Sequence, residues 1–280
     1  METSIHALAS VDPGAEIGEG ARIGPFAVVG PGVRIGPRTV LMPHCHIVAR
    51  TAIGADCVVS SSAVVGGDPQ DMKYRGEDTN LVIGDRTRIG EFATVNRGTG
   101  VGGGVTAIGD DVLIMAYAHV AHDCVIGNGV VLTNSCQLAG HVRIEDQAWI
   151  SGLCAVHHFV TIGAMSFVTP RSNVRFDVPP YMIGDGFDNT LRVRGVNVEG
   201  LARRRIPDAS VRALKAAYRA LYRGERPIAA AVAGLAGSEL AKDPYVLNVL
   251  NHIEGSLAGY QNRALERYRT DKTRQIIRDE

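Results

Sequence analysis

Aliphatic residues recur every six positions along this chain. Val11, Ile17, Ile23, Val29, Ile35, Leu41, Ile47, Ile53, Val59 and Val65 form one unbroken series. The series resumes at Ile83, Ile89 and Val95, runs again from Ile108 through Ile114, Val120, Ile126, Leu132, Leu138, Ile144, Ile150, Val156, Ile162 and Val168, and ends at Val174. An α-helix repeats about every 3.6 residues and a strand every two, so neither explains a sustained period of six. A unit that buries one aliphatic side chain and turns at a small residue makes one side of a triangular prism. Three such units close a coil that stacks on the one before it. The predicted architecture is therefore mainly β, a left-handed parallel β-helix over residues 1–190. The 33 glycines, with no collagen-like triplet period, fit such frequent turning.

Asp177-Val-Pro-Pro-Tyr181 ends the repeat, and Val211, Leu214, Ala217, Tyr218 and Leu221 then fall on one helical face after a capping Asp208. A C-terminal α-helical domain is expected over 191–280. No stretch approaches the ~18 apolar residues of a membrane span, and the N-terminus lacks the pattern of a secretion signal. The five cysteines form no CxxC pair and read as reduced core thiols in a cytoplasmic protein.

Insertions at 66–82 and 96–107 break the repeat. If each is a loop on a continuous helix, Val65, Val95, Val120, Leu138 and Val156 stack along one side. That side then supplies Asn96, His122, His141 and His157 on successive coils ~4.8 Å apart. His122 beside Asp123 is the strongest general-base candidate. Adjacent strand residues point to opposite faces, so Asp123 either reaches His122 through a turn or contacts another histidine. The Gly140 amide is a candidate oxyanion donor one coil above. In the first insertion, Gln70, Asp71 and Lys73 offer groups for sugar hydroxyls or a phosphate. A zinc centre is the rival use of clustered histidines. Three imidazoles climbing a ladder do not converge within the ~2.1 Å that zinc requires, and no metal is expected. Eight basic residues against two acidic ones over 201–226 suit phosphates or an acidic protein, and no nucleic-acid-binding motif accompanies them.

The segments Asp12–Ala15, Gln70–Tyr74, Asn96–Thr99, Ala118–Cys124, Leu138–His141, Ala155–His157, Asp177–Tyr181 and Gly195–Leu201, followed by Arg203-Arg204, together resemble the UDP-N-acetylglucosamine 3-O-acyltransferases, hexapeptide-repeat enzymes that begin lipid A synthesis. The resemblance implies a homotrimer that moves an R-3-hydroxyacyl chain from the phosphopantetheine of acyl carrier protein to the sugar 3-hydroxyl, with no other cofactor. It implies His122 as base, Asp123 as its support and Gly140 as oxyanion donor. Asp71, Lys73, His119, His141 and His157 would hold the sugar and pyrophosphate, and Asn197, Glu199, Arg203 and Arg204 the nucleotide. Asn96 stands where the family usually carries histidine, and His158 where it carries glutamine, both positions facing the sugar. Pro170 occupies a corner where glycine admits a long acyl chain in some relatives, which implies a shortened acyl groove. The rival functions are a paralogue acylating another nucleotide sugar, such as the 3-amino analogue, from carrier protein or coenzyme A, and a non-catalytic scaffold. Against the scaffold stand His122, Asp123 and the two insertions.

Overall fold

The computed structural model describes residues 2–187, 190–262 and 265. The polar tail over 263–280, to which the sequence assigns no role, lies outside the described residues apart from Leu265. Two-residue strands separated by tight turns build a left-handed parallel β-helix with three faces. Face A rises from Ser4–Ile5 to Phe167–Val168, face B from Ser10–Val11 to Asn173–Val174, and face C from Glu16–Ile17 to Thr161–Ile162. The expected register is present: Val65 pairs with Val95, Val95 with Val120, Val120 with Leu138, and Leu138 with Val156. Both insertions are therefore excursions from a continuous helix. Strands Val64–Gly67 and Asn80–Ile83 run into the first, leaving a loop over 68–79; Thr94–Asn96 and Val105–Ile108 bound a second loop over 97–104.

The repeat aliphatics fill the prism. From Ile23 upward they are buried, whereas Val11 and Ile17 at the open lower end are half-buried. Each fully buried one contributes about 1.5–3 kcal/mol of transfer free energy. Turning so tightly requires left-handed backbone at most corners, even for side chains such as Phe26, Arg38, Asp56 and Tyr117 (φ 58–62°). Such residues cost on the order of 1–3 kcal/mol each. Contacts between stacked corners offset this. At the edge between faces A and B, Phe26 stacks on His44 and Phe92 on Tyr117, with ring centroids 4.9 and 5.1 Å apart. At the edge between C and A, the side chains of Asp85, Asp110, Asn128 and Asp146 each accept a backbone N–H from the coil below at 2.8 Å.

Above the last coil, Met182–Asp185 extends face A and pairs antiparallel with Arg192–Val196. Helices follow: α1 (Val198–Arg203), α2 (Asp208–Tyr222), α3 (Ile228–Ala236) and α4 (Pro244–Ala258). Asp243 caps α4 through the Tyr245 and Val246 amides, with Pro244 at its first turn. A second core joins Tyr181 and Met182 to Leu201, Leu214, Leu221, Val249 and Leu250, and so seats the helices on the end of the prism. No helix among the described residues is long and apolar enough to cross a membrane.

Candidate active site

In this coil the face B strand ends at Val120 and the face C strand begins at Val125, which puts His122 and Asp123 on the edge between them. Asp123 has φ 60°, and this left-handed turn resolves the alternation problem. It swings the carboxylate back to its neighbour, so that His122 Nδ1 lies 2.8 Å from Asp123 Oδ2. His141, one coil above, brings Nε2 to 3.7 Å from the same oxygen. The second loop closes the arrangement. Thr99 donates its backbone N–H to Asp123 Oδ1 at 2.8 Å and its hydroxyl to Oδ2 at 2.6 Å, while the Asp123 N–H goes to Thr106 Oγ1 at 2.8 Å. Burial works to raise the Asp123 carboxyl, but the hydrogen bonds from His122 and Thr99, with the nearby His141, outweigh it and hold the group below the ordinary aspartate range. An ionised carboxylate only accepts, so His122 carries its proton on Nδ1 and leaves Nε2 as a base.

Two glycines make room. A Cβ on Gly140 would overlap the His122 ring, and one on Gly102 would overlap the Asp123 carboxylate. Among the described residues, the Gly140 N–H has no backbone acceptor.

Rings continue up the edge. His122 meets His141 edge-on at 5.2 Å, His141 stacks on Phe159 at 4.5 Å, Phe159 meets His158 at 5.5 Å, and His158 packs on His157 at 3.9 Å. His119, on face B, holds Nδ1 at 2.7 Å from the Thr94 hydroxyl, and burial followed by the proximity of His122 lowers its pKa. From the first loop come Asp71 and Lys73, 3.4 Å apart. Burial pushes the Asp71 carboxyl up, and the Lys73 amide, the Lys73 charge and His122 more than reverse it. Gln70 is exposed on the same loop.

Asn96 departs from expectation. It is 5 % exposed, and its amide donates to the Asp68 carbonyl at 2.7 Å. Beside it, buried Arg97 donates to the Gly66 carbonyl, the Asp68 carboxylate and, at 3.2 Å, the Tyr74 hydroxyl. The first loop lies over this corner, and Asn96 braces that loop. The Asn96–Thr99 segment thus clamps one loop with its first two residues and the Asp123 carboxylate with its last.

The nucleotide candidates meet elsewhere. Asn197, Glu199, Arg203 and Arg204 line a cavity of ≈ 750 Å³ on face A, walled by Trp149, Phe167 and Ile183. Asn197 also caps α1, accepting the Gly200 N–H at 3.1 Å and donating to the Met165 carbonyl at 2.8 Å. Trp149, the only tryptophan of the chain, stands on an outward strand position, a signal present in the sequence itself. Nothing in the six-residue repeat marks Thr99, Gly102 or Phe159 as part of the edge between faces B and C. Pro170 is exposed at a corner between faces A and B.

His122, Asp123 and His141 each place one potential ligand atom within 4.8 Å of the others. Asp123 Oδ2 is already engaged by His122 and the Thr99 hydroxyl, and His141 Nε2 stands off from it at 3.7 Å.

Comparisons with known proteins place the chain in a family. Residues 106–140 match the family described as bacterial transferase hexapeptide (six repeats), and 177–261 match UDP N-acetylglucosamine O-acyltransferase, domain 2. An acyl-[acyl-carrier-protein]–UDP-N-acetylglucosamine O-acyltransferase of Burkholderia mallei is 44 % identical over 198 residues, 69 % of this chain and 74 % of that protein. The chain belongs to the UDP-N-acetylglucosamine O-acyltransferase family. A Verminephrobacter eiseniae protein of the same name is 52 % identical over 168 residues; that match covers 60 % of this chain and 63 % of the relative's length, less than two thirds. Among solved structures, the Francisella novicida UDP-N-acetylglucosamine acyltransferase superposes with a TM-score of 0.86 at 37 % identity, covering 90 % of this chain and 92 % of that one. The Bacteroides fragilis member of the family gives 0.87 at 33 %, covering 90 % and 98 %.

Proposed function

We propose that the protein transfers an R-3-hydroxyacyl chain from acyl carrier protein to the 3-position of UDP-N-acetylglucosamine, the acylation that begins lipid A synthesis. The observation that carries the reading is the buried His122–Asp123 pair beside a Gly140 N–H that has no backbone acceptor among the described residues. His122 Nε2 takes the proton of the sugar 3-hydroxyl as its oxygen attacks the thioester carbonyl. The tetrahedral oxyanion accepts the Gly140 N–H, and its collapse breaks the carbon–sulfur bond. The imidazolium returns the proton to the departing phosphopantetheine thiolate. Every group this requires is a side chain, a backbone amide or a substrate, so the reading calls for no metal or further cofactor.

Asp71, Lys73, His119, His141, His157 and His158 are assigned to the sugar and pyrophosphate. The cavity of Asn197, Glu199, Arg203 and Arg204 is assigned to the nucleotide. In a triangular cross-section, the edge between faces B and C lies opposite face A. One protomer therefore turns its catalytic edge and its nucleotide cavity away from each other, which supports a homotrimer in which neighbouring copies complete each site. Arg205, Arg212, Lys215, Arg219 and Arg223, exposed on α2 and just beyond its two ends, suit the acidic surface of a carrier protein. Five free, buried thiols support a cytoplasmic setting.

The test is mass spectrometry of products after incubation with UDP-N-acetylglucosamine, its 3-amino analogue, and 3-hydroxyacyl carrier proteins or coenzyme A thioesters of several lengths. Acylation of the plain sugar from carrier protein is expected. Product with the amino analogue alone, or with coenzyme A alone, would replace this reading by a paralogue's. In the same assay, Pro170→Gly is expected to shift the preference toward longer chains, and an unchanged preference would remove Pro170 from the acyl groove.

A further inference from the structure

The three donors around Asp123 are unequally placed. Oδ1 takes only the Thr99 backbone N–H, at 2.8 Å, whereas Oδ2 takes the Thr99 hydroxyl at 2.6 Å and His122 Nδ1 at 2.8 Å, with His141 Nε2 at 3.7 Å. The hydroxyl and the imidazole compete for one oxygen. A hydroxyl already donating to Oδ2 drains part of its negative charge and so weakens it as an acceptor for His122. Thr99 is itself fixed: it is 3 % exposed, its hydroxyl accepts the Gly102 N–H at 3.1 Å, and its carbonyl accepts the Gly104 N–H at 2.8 Å. Gly102 cannot carry a side chain without displacing the carboxylate, so the loop over 97–104 is shaped around Asp123.

We propose that Thr99 is a positioning residue that sets the base strength of His122 through the carboxylate oxygen they share. The inference rests on the reading of His122 as general base. Without the hydroxyl, Oδ2 holds the imidazolium more strongly, and His122 gives up its proton only at higher pH. The Thr99 backbone N–H still anchors Oδ1, so the carboxylate stays in place and its strength, more than its location, changes. The other groups facing His122 are left as they are: His141 from the same edge, His119 from face B, and Asp71 with Lys73 from the first loop.

Thr99→Val removes the hydroxyl while keeping shape and backbone, and Thr99→Ser keeps the hydroxyl. The direct readout is ¹⁵N NMR titration of the His122 imidazole in the full chain, which needs no substrate. In Thr99→Val the midpoint is expected to move upward by about half a unit or more, and in Thr99→Ser to stay at the wild-type value. The acid limb of the kcat/KM profile should move with it, lowering activity several-fold on that limb with KM little changed. A His122 midpoint identical in Thr99→Val and wild type, or a serine variant that behaves like the valine one, overturns the proposal. If the valine variant does not fold, Thr99→Ala carries the same test. Wild type that turns over none of the offered substrates would sink the acyltransferase reading alone, because the titration still decides the Thr99 question.

Discussion

Two regions of this protein bury an imidazole to nearly the same depth and use it in opposite ways. His122 on the prism edge is 9 % exposed, and His252 in α4 of the helical domain is 7 % exposed. His122 has a carboxylate at 2.8 Å, itself held by a loop that reaches across from the coil below. For His252 Nε2 there is no hydrogen-bond partner among the described residues, and burial alone lowers its pKa to about 4. Burial removes solvent in both places. Only the presence of an oriented partner turns an imidazole into a base with a defined tautomer and an aimed lone pair.

The comparison can be broken most directly at His122. His122→Ala is expected to cut kcat by roughly 10²–10⁴-fold with little change in thermal stability, whereas His252→Leu should retain full turnover. Equal activity in the two variants would erase the distinction. A finer probe leaves both histidines intact and moves only the partner geometry. Gly140→Ala or Gly102→Ala forces the His122 ring or the Asp123 carboxylate aside, and a displacement of about 1 Å is expected to cost about a hundredfold in kcat/KM. Steady-state kinetics on folded variants, checked by circular dichroism, would show it.

His252 should reveal itself through stability and not through rate. Its pKa in the fold, about 4, lies below the unfolded value near 6.5, so the neutral form is favoured in the folded state. The stabilisation is fully present above about pH 6.5 and is lost as pH falls toward about 4, amounting to about 3 kcal/mol over that window. Denaturant unfolding at several pH values should give a shallower acid slope for His252→Leu than for wild type. The smallest effect is expected at the edge between faces C and A, where Arg86 pairs with Asp111 at 2.8 Å in the open. Arg86→Ala should leave turnover unchanged and barely alter the melting temperature, since exposed ion pairs are screened by water and salt. A large loss of activity there would mean that the edges are not functionally distinct.

The prism was legible in the residues themselves. A period of six repeated through Val174 announces the fold, and counting coils places His122, His141 and His157 on the edge from which both insertions depart. That inference succeeds because the repeat is local and translational: each coil restates the same burial requirement, so register follows from arithmetic. Spacing alone left the partner of Asp123 open between His122 and another histidine, because strand alternation sets neighbours apart and the left-handed backbone at Asp123 brings them together. The work of the Asn96–Thr99 segment, in which Asn96 and Arg97 hold one loop while Thr99 holds the carboxylate, was not legible. The face A cavity likewise forms only where helix α1 folds back over Trp149 and Phe167. The sequence by itself thus determined the solenoid, its register and the edge that carries the histidines. The tertiary structure alone decided which groups touch, because those contacts depend on where irregular segments return to the prism, and no period specifies that.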